Sequence, residues 1–286
     1  MKNENHINNA LTVDVEDYFH VSAFSKYIDI NKWDNIKTRV ENNTARLLEL
    51  FAKHEIKATF FVLGWVANKY PKLIKRISEE EHEIACHGYS HQLVYEQEPE
   101  IFRSETIRSK NILEDLIQKP VIGYRAASYS IINESLWALD ILAELGFKYD
   151  SSIFPIRHDR YGLPDAPKYP YRLKTPAGFN IVEFPLSTVK LFGYTLPIAG
   201  GGYFRLFPYF VSERGLKSIN KNNKPFIFYL HPWEIDPGQP RISANFISRI
   251  RHYTNLDKCE MRLTKLIETF NFTTANNVLT EIGMLK

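Results

Sequence analysis

The chain has 286 residues, 44% apolar and 24% charged, enough to bury one large core or two smaller ones. A formal charge of +3 is too small at this length to point to nucleic acid or an anionic membrane as partner. The two cysteines, Cys86 and Cys259, exclude a disulfide framework, and the many aromatic residues read mostly as core.

Met1 to Ala10 is polar and Asn-rich, without the apolar centre of a secretory signal. The longest apolar stretch, Thr59 to Ala67, is too short to span a bilayer, so no integral membrane segment is expected and the expected location is the cytoplasm. Leu11-Thr12-Val13 reads as a buried strand running into the acidic group Asp14-Val15-Glu16-Asp17. Val40, Leu47, Leu48 and Phe51 recur at helical spacing within Thr38 to His54. A buried strand at Ala58 to Leu63 is closed by Gly64, and Pro71 opens a helix through Ile77. Glu83 to Cys86 forms the next strand, with His87 and His91 at its end.

Pro99 starts a long helix through Leu116, and Val121 to Tyr124 is a strand ending at Arg125. Asn133 suits the N-cap of a helix that Gly146 stops, before Phe147-Lys148-Tyr149. The stretch from Ser151 to Gly202 is rich in proline, glycine and aromatics, and predicts long loops with a short strand at Ile181 to Phe184. Phe226 to Leu230 is a buried strand that delivers His231, and one last helix is expected from about Asn245 through Phe270. Strand and helix alternate, so the fold class is α/β with a parallel sheet.

His87-Gly88-Tyr89-Ser90-His91 carries the most chemistry. Two imidazoles four residues apart across a glycine can converge on one metal ion if the chain turns there. A carboxylate from another strand completes three protein ligands and leaves a position for water, which is the pattern of a catalytic site. Cys86 is the neighbour of His87, but adjacent side chains of a strand point to opposite faces, so it reads as a small buried hydrophobe. Asp14 to Asp17, the histidine pair, Arg125, Asp150 and His231 all fall at C-terminal strand ends, the edge where α/β sites gather. Singly, each has a plain explanation: a turn cap for Asp17, an ion pair for Arg125, a satisfied core histidine for His231.

Together these segments resemble the NodB-homology polysaccharide deacetylases, carbohydrate esterase family four. Leu11 to Asp17 resembles the first motif, His87 to His91 the metal-binding second, Arg125-Ala126-Ala127-Ser128-Tyr129 the third, Asp150-Ser151-Ser152 the fourth and Leu230-His231 the fifth. Longer segments, Asp150 to Gly162, Gly200 to Arg205 and His231-Pro232-Trp233-Glu234, resemble the subgroup associated with bacterial exopolysaccharide and exosortase loci. The resemblance implies a distorted (β/α) barrel of fewer than eight parallel strands. It implies a single catalytic domain over residues 1–286, with a NodB-like core over about 10–235 and a C-terminal helical extension over about 236–286.

The activity implied is removal of an N-acetyl group from an amino sugar of a polysaccharide or its precursor. One divalent ion, zinc by donor type, would be held by Glu16, His87 and His91. Asp14 would be the base, oriented by Arg125, and His231 the acid. Asp14 and Glu16 share a face of an extended strand, while Asp17 is an alternative ligand if the chain turns early. Ala127 stands where the family has proline, which predicts a less rigid turn, with an oxyanion donor near Ser128. Arg157 and Tyr203 are candidate substrate contacts, and Arg205 and Trp233 serve equally as contact or scaffold. Glycines 200 to 202 permit close backbone approach to a ligand, or only a tight turn. The competing readings are another carbon–nitrogen amidohydrolase, allantoinase-like or a deformylase, and a carbohydrate-binding protein without turnover.

Overall fold

A computed structural model describes residues 7–158, 160–191 and 193–286. Its strands are β1 (Asn8–Val15), β2 (Thr59–Val62), β3 (Glu83–Cys86), β4 (Gly123–Tyr124), β5 (Tyr149–Asp150), β6 (Tyr171–Lys174), β7 (Asn180–Glu183), β8 (Thr188–Leu191), β9 (Tyr194–Pro197), β10 (Ile227–Leu230) and β11 (Asn271–Thr273). The main sheet runs β10-β1-β2-β3-β4-β5-β7-β6, parallel throughout except for the last pair, and β11 pairs in parallel with the start of β1. Covering helices are α1 (Val40–Lys53), α2 (Gly64–Lys69), α3 (Pro71–Glu79), α4 (Pro99–Ile117), α5 (Trp137–Glu144), α6 (Gly201–Leu206), α7 (Tyr209–Lys221), α8 (Phe246–Tyr253), α9 (Leu256–Thr269) and α10 (Ala275–Glu281). This is a mixed α/β fold whose parallel sheet curls as a distorted barrel.

Strand parity builds the molecule. Leu11, Val13, Phe60, Val62, Ile84, Cys86, Phe228 and Leu230 face outward into the large core beneath the helices. Their alternates Ala10, Phe61, Ala85, Tyr149, Val182, Ile227 and Tyr229 pack inside the curl. Side chains alternate along a strand, so the residue after an outward Cys86 or Leu230 points inward. His87, Arg125 and His231 inherit the inner face in this way, and Asp14 holds it within β1.

The curl draws together between β10 and the segment before α6. Tyr229 N donates to Ala199 O at 2.7 Å, and Gly200 bridges Tyr229 in parallel. A Cβ at Gly200 would lie 1.9 Å from the Tyr229 carbonyl oxygen, and its φ is 129°. The close approach expected of these glycines is therefore made to the protein's own strand.

Three sequence expectations need adjusting. The strand at Val121 contracts to Gly123–Tyr124, because its pairing with β3 and β5 involves only those two residues. Residues 151–202 are long loops with short strands as expected, but β6 and the β8–β9 hairpin join β7 among those strands. The last helix is two, α8 and α9, broken at Asn255, whose φ of 55° is a conformation asparagine tolerates better than most residues. Beyond it, β11 joins the sheet, and α10 sends Ala275, Val278 and Leu279 into the barrel interior. The C-terminal segment thus completes the core.

Candidate active site

The His87–His91 turn depends on its glycine. Gly88 has φ 74° and His91 φ 53°, so the chain reverses sharply and sets the imidazole centroids 5.4 Å apart. Helix α4 pins the turn from outside: Ser109 Oγ donates to Gly88 O at 2.6 Å, and Ser90 Oγ donates to Glu105 at 2.8 Å. His87 Nδ1 lies 2.8 Å from the carbonyl of Arg125, so Nδ1–H donates there and Nε2 keeps its lone pair for the cleft.

Glu16 supplies the carboxylate opposite. One donor atom each from Glu16, His87 and His91 lies within 4.8 Å of the others, all three side chains buried. Glu16 Oε2 and His87 Nε2 are buried without a hydrogen-bond partner, and His91 Nε2 lies 3.4 Å from Glu16 Oε2. Unpaired buried atoms cost about 1–3 kcal/mol each, and donors of three side chains gathered in this way fit a cation. Burial pushes the His87 imidazolium pKa down to about 4, so it is neutral. Burial acts to raise the Glu16 pKa, but His91 and His231 outweigh it and hold the group well below the usual carboxylate range. A neutral imidazole and an ionised carboxylate are the protonation states a metal requires.

Asp17 is otherwise occupied. Its Oδ2 accepts the amides of Arg39 and Val40 at 2.6 and 3.0 Å, and its Oδ1 accepts that of Tyr18 at 2.9 Å. It fastens the start of α1 to the end of β1.

Asp14 and Arg125 form a fully buried ion pair at 2.6 Å. Arg125 is held from every side: Nη1 donates to Thr12 Oγ1, Nη2 to Ser151 Oγ, Nε to Ser151 O, and the guanidinium lies 4.0 Å from the Phe61 ring centre. Its pKa moves up; burial opposes this, and the Asp14 charge prevails. His231 Nε2 lies 3.0 Å from Glu16 Oε1 and 3.9 Å from Asp14 Oδ2, while Nδ1 lies 3.0 Å from Glu234 Oε2. Burial alone would depress the His231 pKa, but Glu16 and Glu234 hold it up to about 10. Glu234 is in turn paired with buried Arg205 at 2.6 Å.

These groups line a cavity of about 120 Å³ with Val21, Ser22, Ser128, Tyr129, Tyr161, Tyr229 and Trp233. Ser128 is there as expected, its Oγ 2.9 Å from Ser22 Oγ. The looseness expected at Ala127 is not: Tyr129 N donates to Ala126 O, and Ser130 Oγ, which donates to Ala127 O, also accepts from Val94 N. Arg157 and Tyr203 do not line the cavity. Ile156 is buried, so the chain turns Arg157 out to solvent, and Tyr203 stands behind Tyr161, sharing a hydrogen bond with it. Arg205 is scaffold, whereas Trp233 lines the cleft and stacks on His231 at 5.0 Å. Sequence reasoning gave Glu234 no role of its own. Its only signal was position, three residues past His231 on a turn opened by Pro232.

Residues 30–149 match the family model for polysaccharide deacetylase, and residues 151–280 match one described only as a domain of unknown function, DUF3473. A peptidoglycan-N-acetylglucosamine deacetylase of Bacillus cereus is 38% identical over 73 residues, 26% of either chain. A peptidoglycan deacetylase of Helicobacter pylori is 32% identical over 112 residues, 38% of this chain and 36% of that one. The match thus spans little more than a third of these relatives at most. Among solved structures, a Mycobacterium smegmatis protein assigned to the polysaccharide deacetylases superposes with a TM-score of 0.65 at 19% identity, covering 98% of this chain and 92% of that one. Residues 30–149 thus match a polysaccharide deacetylase domain model, the match expected from the resemblance to the NodB-homology group.

Proposed function

We propose that the protein is a metal-dependent hydrolase that removes an N-acetyl group from an amino sugar, in a polysaccharide or its precursor. The observation that carries this is the convergence of buried donor atoms of Glu16, His87 and His91, beside an Asp14–Arg125 pair and a His231–Glu234 pair. A divalent cation held by those three residues supplies a Lewis acid for the acetyl carbonyl and a water of lowered pKa, and the mixed donors suit zinc while admitting cobalt, nickel or iron.

The chain's own groups do the rest. Arg125 occupies Asp14 Oδ1 and leaves Oδ2 to take the proton of the attacking water. Glu234 anchors His231 through Nδ1, so a protonated Nε2 is presented to the departing amine. Amide and water become carboxylic acid and amine: one water proton passes to Asp14, His231 gives one to the leaving nitrogen, and exchange with solvent then restores both groups and ionises the acid. Tyr129, Tyr161 and Trp233 line the cleft where a sugar would enter, with the faces of Trp233 taken up by His231 and His252. The whole of residues 1–286 acts as one catalytic unit in this reading, because β11 and α10 belong to the barrel core.

The test is metal content of the purified protein, with acetate release from N-acetylated sugars measured before and after chelation. Near one metal per chain and chelator-sensitive release are expected. Asp14→Asn should retain the metal and lose at least about a hundredfold in kcat, and His87→Ala should lose both. Bound metal without acetate release would assign the site to another amide, as in a cyclic-amide hydrolase or deformylase. An Asp14→Asn protein with full turnover would remove Asp14 as the base.

A further inference from the structure

We propose that α8 and the loop that touches it are a docking surface for an anionic lipid bilayer. At about 100° per residue, Phe246, Ile250 and Ile247 fall on one face of α8, with Arg249 and Arg251 on its flanks. In a soluble domain such an apolar stripe belongs against the core. Here it faces out: Phe246 is 74% exposed, Ile247 62% and Ile250 43%. The inward face is polar instead, with His252 buried, 2.6 Å from Gln239 Oε1 and stacked on Trp233 at 4.1 Å. The helix is therefore fastened to the body through its polar side and presents its apolar side to the outside.

The patch continues past the helix. Tyr27 and Ile30 are 49% and 46% exposed, and Tyr27 Oη accepts the amide of Asn245 at 3.2 Å. Its charge is mainly positive: Arg241, Arg249, Arg251 and Lys26 are exposed against Asp29 on the loop, and no acidic residue lies between Arg241 and Tyr253. The small net charge of the whole chain averages this imbalance away, so the exclusion drawn from it does not extend to a local patch.

Charge and apolarity together select the occupant. Exposed phenylalanine and isoleucine gain by entering hydrocarbon, and arginines beside them meet lipid phosphates at the same depth. A soluble polyanion would use the arginines and leave the apolar residues in water. A second copy meeting the patch across a two-fold axis would bring Arg249 and Arg251 against their own equivalents, which repel. The inference does not depend on the deacetylase reading.

Co-sedimentation of the full chain with vesicles of phosphatidylglycerol and phosphatidylcholine, against phosphatidylcholine alone, tests it. Binding is expected with the anionic vesicles and should weaken with salt. Arg249→Gln and Arg251→Gln should each cost about fivefold in partitioning. Phe246→Ser with Ile247→Ser should cost at least about tenfold. These residues are exposed, so the variants should fold and release acetate from a water-soluble sugar as the parent does. Equal sedimentation of parent and variants, or none with anionic vesicles, would overturn the proposal. A concentration-dependent dimer lost in the Phe246→Ser, Ile247→Ser protein, with vesicles ignored, would give the face to a second copy. Binding is read without turnover, so failure of either proposal leaves the other standing.

Discussion

Glu16 and Asp17 are neighbours in sequence with opposite environments, and that contrast makes them separable by experiment. Glu16 holds an oxygen that nothing in the protein satisfies, while Asp17 spends both oxygens on backbone amides. Glu16→Gln removes an anionic donor and leaves the scaffold alone, so metal content should collapse with the urea midpoint of the metal-free protein little changed. Asp17→Ala strips buried amides at the start of α1 of their acceptor, which should cost about 2 kcal/mol with metal still bound. The reverse pattern would transfer the ligand role to Asp17. The same residue-level view explains why Arg205 is buried so far from bulk water. It fixes Glu234 while donating to the carbonyls of Arg251, His252 and Thr254, so His231 is tied through two ion pairs to the C-terminal helices.

Among the elements, α10 makes the sharpest prediction. It inserts Val278 and Leu279, fully buried, into the end of the barrel away from the cleft, and its first amides donate to Thr59 Oγ1 and Glu83 Oε2. Leu279→Ala should cost about 2–5 kcal/mol in urea unfolding, with metal content unchanged. A loss below about 1 kcal/mol would mean that the interior closes without this helix. Neither β11 nor α10 was legible in the sequence, because a three-residue strand and a seven-residue helix hold too few repeats for either pattern to stand out. The break between α8 and α9 was hidden for a different reason. Periodicity reports an apolar stripe but not which way it faces, and the stripe of α8 faces solvent. By contrast, β1, β2, β3 and β10 were readable because each is a buried run, closed by Gly64 after β2 and by polar groups in the other three. Parity along β1 put Asp14 and Glu16 on a common face, and position at strand ends gathered His87 and His231 with them. What parity could not supply was the pairing of His231 with Glu234 and of Glu234 with Arg205. Those pairs depend on where a turn and a distant helix come to rest.

For the molecule as a whole, three buried histidines outside the Glu16, His87 and His91 cluster lower stability as pH falls, an effect offset in part below about pH 6 by Asp17, whose carboxyl pKa burial raises to about 6. Burial drives His20 down to about 3, assisted by the nearby imidazoles of His91 and His87. Burial likewise takes His82 to about 4 with Lys57 adding to it, and His252 to about 3 with Arg205 adding to it. All three are neutral in the folded chain at neutral pH, and each has a ring contact or hydrogen bond that suits the neutral form; Ala58 N, for one, donates to His82 Nδ1 at 3.1 Å. Their folded pKa values lie below the 6.5 of an unfolded histidine. The unfolded chain therefore takes up protons first. The stability they contribute is fully present above pH 6.5 and is lost as pH falls from there toward 4 and below, by about 1.4 kcal/mol per pH unit per histidine. Chelated protein removes metal release from the measurement, and His87, also pushed down to about 4 by burial, then adds to the same slope. Urea unfolding of the chelated chain between pH 7.5 and 5 should show the steep decline. His82→Asn keeps an acceptor for Ala58 N but cannot be charged, so its decline should be shallower by about one proton's slope. Parallel declines in parent and His82→Asn would show that His82 protonates without cost in the folded state, and that the acid sensitivity arises elsewhere.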